Sequence, residues 1–302
     1  MKNYTSLTTV QINFMENARW LDIPEGMKRL TNDDGYFAVT LPLCMILGVA
    51  EDYQMMVVNA KRELVLTRSH SDLNAIVQAR QQPGNEEQFK ISIHKVEWMI
   101  PYVIVSAQEK VQLLKLIEKC FLTTMSFRSW ELYECPLLPT TSRHIWTVKK
   151  STEWKKPRYI ILGFQIGRKN KQVRYDNHFN HCNITNVKVF FSSQYYPYSN
   201  LHLDFGHNQF ALLYKIYANF QVAYYGKQPE PMLKKSDFKE YAPLTVINCS
   251  KQNDFLKQTT VAVRLEFVSA NNFPAETANY CLIIHYRMIQ YQPLRGSVKK
   301  LI

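Results

Sequence analysis

The sequence lacks any apolar run of the about 18 to 20 residues that a membrane-spanning helix requires. Its first twenty residues contain no apolar core of signal-peptide length. Glycine is scarce, with nine residues among 302, whereas hydrophobic residues make up 46% and aromatic residues 13% of the chain. This composition excludes a collagen-like or disordered protein and indicates a globular one. We expect a soluble protein that is made in the cytoplasm or nucleus and is not secreted.

Paired cysteine motifs are also missing. The six cysteines are spread singly along the chain with no CxxC or other ligand spacing. We expect them to be reduced and buried; they are Cys44, Cys120, Cys135, Cys182, Cys249 and Cys281.

No nucleotide-binding or nucleophile motif occurs. GxxxxGK[ST], GxGxxG and GxSxG are all absent. Acid–base catalysis needs titratable side chains in one cleft, and the candidates lie on different predicted strands with no pattern that links them. They are Glu97, Glu131, Asp204, Glu266 and His285. We predict no enzyme, no catalytic residue and no cofactor.

One short segment has the residue types of a metal site. It contains His178, His181 and Cys182, and two further histidines, His202 and His207, lie beyond the next turn. Zinc requires four converging ligands, and this spacing supplies no clear second pair. The sequence therefore predicts ordinary packed histidines and no metal site.

Positive charge is in excess. Lysine and arginine number 37 against 25 acidic residues, which gives a net charge of +12. Such an excess favours an anionic partner, of which nucleic acid is the usual one. Two tyrosine clusters, at 195–198 and 224–225, either stack on bases, line a subunit interface or pack in the core and loops.

Strand patterns dominate the periodicity. Apolar and β-branched runs bounded by turn residues predict strands at 36–49, 89–105, 125–133, 144–148, 158–166, 184–191, 201–205, 242–250, 261–268 and 279–292, and a strand, a turn at 59–62 and a second strand within 55–67. Two segments instead have helical spacing. One starts at Ser106 with a capping box to Glu109, and the other starts at a predicted N-cap, Asn208, and runs to 225. These patterns predict a mainly β protein of sandwich type.

The two halves of the chain share an outline of strands with one helix. A basic, polar stretch at 167–177 lies near the middle and is the best candidate for a boundary. We predict an N-terminal arm at 1–34, a first β-sandwich at 35–174 and a second at 175–302.

Four segments, at 59–69, 156–165, 179–197 and 280–296, carry a resemblance to a known family. The chain resembles double jelly-roll major capsid proteins, in particular those of Polinton or Maverick elements and of adintovirus-like animal viruses. The resemblance implies an all-β fold of two tandem jelly rolls with one helix packed in each half. It also implies a homotrimer that forms a pseudo-hexagonal capsomer, an icosahedral shell and a location in the virion.

The same resemblance implies partners. The shell would enclose double-stranded DNA, with non-specific contacts to phosphates, and would include a minor capsid or penton protein.

Two other readings stay open. One is a basic nucleic-acid-binding protein derived from a mobile element, which the charge and the aromatic clusters favour. The other is a lectin-like β-sandwich, for which the sequence offers Trp98, Trp130, Trp146 and Trp154.

Overall fold

The computed structural model describes residues 1–18, 31–75, 77–78, 84, 88–119, 121–151, 157–191, 194–250 and 261–301. The chain packs into two compact units. Unit 1 contains Met1–Asp52, Arg128–Gly167 and Asn177–Tyr286, and unit 2 contains Tyr53–Phe127, Arg168–Asp176 and Arg287–Ile302. Unit 1 thus combines strands from both halves of the sequence. The predicted boundaries at 34/35 and 174/175 stay predictions.

Nine strands occur within the described residues. They are β1 (Thr123–Cys135), β2 (Arg143–Ser151), β3 (Pro157–Ile166), β4 (Ile184–Phe191), β5 (Gln194–Tyr196), β6 (Thr245–Asn248), β7 (Val261–Ser269), β8 (Thr277–Gln292) and β9 (Ser297–Lys300). The first sheet has the order β1-β8-β3-β6, and β9 pairs with β8. The second sheet has the order β2-β7-β4-β5. Every register that the structure gives is antiparallel.

The core of unit 1 lies between the two sheets. β7 alternates as the sequence predicts, with Val263, Leu265 and Phe267 buried and Arg264 exposed. The ring of Phe267 meets that of Phe164 on β3 edge to face, with 5.2 Å between centroids. Aromatic pairs of this geometry stabilise a fold beyond the burial of their apolar surface, so this contact helps to hold the two sheets together.

A layer of helices from unit 1 packs on the other face of the first sheet. The helices of unit 1 are α1 (Lys2–Ser6), α2 (Ile12–Asn17), α3 (Gly48–Asp52), α5 (Ala211–Tyr225) and α6 (Lys235–Tyr241), and α4 (Ala107–Glu118) belongs to unit 2. Tyr159 on β3 packs edge to face against Phe220 on α5, at 5.2 Å. Since one face of β3 meets the second sheet and the other meets α5, the strand is almost continuously buried.

The N-terminal residues are part of this layer. The hydroxyl of Tyr217 on α5 donates to the carbonyl of Tyr4 at 2.8 Å, and the amide of Gln221 donates to the carbonyl of Leu7 at 2.8 Å. All four residues are buried. The first turn of the chain is therefore anchored to α5 by buried polar contacts as well as by packing.

The start of α5 differs from the prediction. The N-cap is Phe210 and not Asn208, whose φ is 56°. Asp204 and Gln209 exchange backbone hydrogen bonds of 3.1 and 2.7 Å, so residues 205–208 form a closed turn. The helix begins only after this turn ends. It stops at Gly226, whose φ of 67° is the left-handed conformation that glycine adopts without strain.

Unit 2 contains the other helix that the sequence predicted. The Ser106 hydroxyl accepts from the Glu109 N–H at 3.3 Å, and the Glu109 carboxylate accepts from the Ser106 N–H at 3.0 Å. The capping box is thus confirmed, although no side chain of α4 is fully buried. Among the described helices, none is long and apolar enough to cross a bilayer.

Four strand predictions are wrong. Residues 36–49 form a 3₁₀ turn (Leu43–Met45) and the start of α3, while 55–67, 89–105 and 201–205 contain no strand among their described residues. Alternation in sequence indicates one apolar face but supplies no hydrogen-bonding partner, and a strand requires both. In 89–105 most apolar side chains are exposed, and Tyr102 and Ile104 are 90% exposed each.

Candidate functional site

The most strongly constrained polar contacts in unit 1 surround Arg128 on β1. Its side-chain Nε lies 2.8 and 3.0 Å from the two carboxylate oxygens of Asp52, and its Nη2 makes a further short contact with the same carboxylate. The backbone N–H of Arg128 also donates to this carboxylate, at 2.6 Å. Nη1 donates to the carbonyl of Tyr224 at 2.6 Å, and the guanidinium lies 3.7 Å above the centre of the Tyr224 ring. Burial acts to lower the pKa of Arg128, but the hydrogen bonds to Asp52 and the electrostatic attraction of Tyr224, Asp52 and Glu51 together outweigh it and raise the pKa.

A second buried ion pair adjoins the first. Lys2 lies 3.0 Å from Glu51, whose carboxylate also accepts from the hydroxyl of Tyr225 at 2.5 Å and from that of Tyr224 at 3.2 Å. The ammonium of Lys2 sits 4.4 Å above the Trp130 ring. Burial and Glu51 raise the pKa of Tyr225, so its hydroxyl stays protonated and donates.

We call these residues the Arg128 network; it comprises Lys2, Glu51, Asp52, Arg128, Tyr224 and Tyr225. Two positive and two negative charges balance within it, and it links α1, α3, β1 and α5. Such a network holds elements in place and does not by itself perform chemistry. Sequence reasoning missed it because its hydrogen-bonded partners lie up to 174 positions apart in the chain.

The predicted metal-type residues of 178–182 are engaged in packing. The ring of His178 lies 4.8 Å from that of Tyr241, and the ring of His181 stacks on Phe205 at 4.5 Å. The Nδ1 atom of His181 accepts from the Asn183 N–H at 3.0 Å, and burial lowers the pKa of His181, so the ring is neutral with its proton on Nε2. Burial raises the pKa of Cys182 to about 12. Among the described residues, no three His, Cys, Asp or Glu side chains form a group that suits a metal ion.

The acid–base candidates form separate ion pairs. In unit 1, the Nε2 atom of His285 lies 3.6 Å from Glu131, the single pair of candidates that the described residues bring together. Asp204 pairs with His207 at 2.8 Å on the surface. Glu266 lies 2.5 Å from Arg143. In unit 2, Glu97 pairs with Lys95 at 2.8 Å.

Among the described residues of unit 1, the tryptophans do not form an exposed platform. Trp130 and Trp146 pack against the core of this unit. Trp98 belongs to unit 2 and is 38% exposed. Trp154 lies outside the described residues. Trp130 and Trp146 are therefore packing residues, which removes most of the support for the lectin-like reading.

The two tyrosine clusters have opposite environments. Tyr224 and Tyr225 lie under Arg128, and Tyr196 is buried. Tyr195 and Tyr198, however, are 36% and 69% exposed.

Tyr195 belongs to the outward face of the second sheet, and Tyr198 lies beside it in the loop after β5. The register places Phe190 on β4 between Arg264 on β7 and Tyr195 on β5. Arg264 lies 4.6 Å above the Phe190 ring, and Lys188 lies 4.6 Å above the Tyr195 ring. The ring centroids are 5.7 Å apart for Phe190 and Tyr195 and 6.0 Å for Tyr195 and Tyr198. We call this surface the aromatic face; it comprises Lys188, Phe190, Tyr195, Tyr198 and Arg264.

The described architecture is that of a mainly β protein in which two antiparallel sheets enclose one core. The sequence profile of the double jelly roll-like domain matches residues 1–289. The chain belongs to the double jelly roll-like domain family. This membership confirms the predicted all-β, double jelly-roll fold and the resemblance on which it rested, whereas the link to Polinton and adintovirus-like lineages stays a prediction.

Solved structures of viral proteins are among those that this chain matches. A chain of the Sputnik virophage is 11% identical with a TM-score of 0.37, and the match covers 60% of this chain and 39% of that one. The mavirus major capsid protein is 12% identical with a TM-score of 0.29, covering 60% and 41%. A chain of the PBCV-1 virus capsid is 8% identical with a TM-score of 0.40, covering 67% and 55%.

This chain thus matches about two fifths of the first two proteins' lengths. Among curated protein sequences, none matches the chain significantly.

Proposed function

We propose that this protein is a structural major capsid protein, and the observation that carries the proposal is membership of the double jelly roll-like family over residues 1–289. The Arg128 network supports it, because a shell subunit needs elements held rigidly in place. On this proposal the protein has no catalytic role, and its place is the virion after synthesis in the cytoplasm or nucleus of the host.

The finer parts of the proposal concern assembly. Three chains form a pseudo-hexagonal capsomer, and capsomers tile an icosahedral shell together with a minor capsid or penton protein. The net charge of +12 suits a subunit that lies close to double-stranded DNA, since contacts to phosphates require basic residues and no sequence reading.

The mass of the particle in solution tests this proposal. Size-exclusion chromatography with multi-angle light scattering should give three times the chain mass of 35.5 kDa, or shells. Negative-stain micrographs of the same fraction should show pseudo-hexagonal particles. A protein that stays monomeric at the highest soluble concentration, in low and physiological salt, would contradict the proposal.

A further inference from the structure

We propose that the aromatic face of the second sheet binds single-stranded nucleic acid, with its rings stacking on unpaired bases and its cations contacting phosphates. This inference goes beyond the capsid proposal and does not depend on assembly, because all five residues belong to one chain and to unit 1.

The charge of the face indicates an anionic partner. Glu266 is the nearest acidic residue in the ladder, opposite Lys188, and its carboxylate lies 2.5 Å from Arg143. Within the described part of the chain, neither Lys188 nor Arg264 forms an ion pair; each lies over an aromatic ring instead. A cation over a ring keeps its full charge, so both remain available to a phosphate.

The rings of the face, exposed at Tyr195 and Tyr198 and half-buried at Phe190, indicate that the partner is single-stranded. A duplex hides the faces of its bases, whereas unpaired bases stack on aromatic side chains and on arginine. Phe190 and Tyr195 stand directly opposite each other in the ladder, and Tyr198 continues the row beyond β5. Other proteins bind single-stranded RNA on a four-stranded antiparallel sheet with exposed aromatics, which is the same arrangement of groups.

The charge also argues against a second copy as the occupant. Each copy carries a net charge of +12, so a face that is itself cationic gains more from a polyanion than from another cationic chain.

The test measures binding of the 302-residue chain to labelled oligothymidine of about 20 nucleotides by fluorescence anisotropy, with unlabelled duplex of equal length as competitor. We expect the single strand to bind more tightly than the duplex. A Phe190→Leu/Tyr195→Leu variant keeps apolar bulk but removes the rings, and its Kd should rise about tenfold or more, since each base–aromatic stack contributes substantially. Tyr198→Ala, at an exposed loop position, should raise Kd about fivefold or more.

A matched control is available in the first sheet. Tyr286 on β8 is 43% exposed and lies under Arg158 at 4.7 Å, so Tyr286→Leu also removes an exposed ring beside an arginine. We expect this variant to bind as the wild type does. Lys188→Gln should reduce the slope of log K against log salt by about 0.7, whereas Lys215→Gln, on the exposed side of α5, should leave it unchanged.

Three results would overturn the proposal. One is tighter binding of duplex than of single strand, and another is equal weakening by the face variants and by Tyr286→Leu. The third is that the face variants change the oligomeric mass but leave oligothymidine binding unchanged. This result would make the face an interface between copies. If the double variant fails to fold by circular dichroism, Tyr198→Ala and Lys188→Gln decide the matter. Light scattering reports separately on assembly, so failure of one proposal is distinguishable from failure of the other.

Discussion

Replacing Asp52 by asparagine tests the energetics of the Arg128 network. The side chains of Arg128 and Asp52 are 12% and 15% exposed, so the substitution leaves a largely buried guanidinium without its counter-charge. Breaking a buried pair in this way costs about 3 to 5 kcal/mol. Since the Tyr224 ring and carbonyl still contact Arg128, we expect a loss of about 3 kcal/mol in the free energy of unfolding. Urea unfolding followed by tryptophan fluorescence measures the loss.

A matched substitution and a double-mutant cycle give this prediction its control. Asp204 and His207 form an exposed pair, so Asp204→Asn should leave the midpoint of unfolding unchanged. Adding Arg128→Met to Asp52→Asn removes the unpaired charge, and the double variant should be more stable than the sum of the single losses implies. If Asp52→Asn is as mild as Asp204→Asn, or the two losses simply add, the network does not stabilise unit 1.

Three further outcomes follow from other parts of the structure. A Cβ at Gly163 would lie 2.6 Å from the Phe179 ring and 2.8 Å from Leu244, so Gly163→Ala should lower the free energy of unfolding by about 1 to 3 kcal/mol, measurable by urea denaturation. Burial raises the pKa of Asp176 to about 6. The folded state therefore binds the extra proton, and stability should fall as pH rises from about 4 to 6, whereas Asp176→Asn should lack this fall in thermal melts across that range. A thiol reagent should modify the exposed Cys44 rapidly in the native protein and should modify the buried Cys182, Cys249 and Cys281 slowly. Slow modification of Cys44 would contradict its exposed position.

Local patterns in the sequence were sufficient for several elements. The alternation at 261–268 predicts β7 because its period of two follows from the pleat, and the structure buries Val263, Leu265 and Phe267 accordingly. The Ser106–Glu109 box predicts the start of α4 because both of its hydrogen bonds close within one turn. In each case the physical cause lies within a few residues.

Elements that depend on distant partners were not predictable in this way. The start of 89–105 alternates at Phe89, Ile91 and Ile93, yet this segment has no ladder among the described residues, because pairing is a property of two segments. The need for glycine at position 48 also depends on a distant residue. A Cβ at Gly48 would lie 1.6 Å from the carbonyl oxygen of Arg128, so no other residue fits there.

The tyrosine clusters show how a distant residue decides a local outcome. Both clusters are adjacent aromatic residues followed by a turn, and the sequence treats them alike. Arg128, 96 positions before Tyr224, makes its cluster part of a buried network, whereas Tyr195 and Tyr198 have only the outward face of a sheet beside them. The exposure of the tyrosine rings therefore distinguishes the packed cluster from the one that is accessible to a partner. The residues next to each cluster in the sequence do not determine this exposure.

The cations of the chain likewise have different environments. Lys2 and Arg128 are neutralised by Glu51 and Asp52, so these cations contribute little to the field outside the protein. Lys188 and Arg264 lie over rings, which attract them without cancelling their charge. An anionic partner therefore gains nothing at the Arg128 network and gains both charge and ring contacts at the aromatic face. The net charge predicts that such a partner exists, and the pairing of individual cations predicts where it binds.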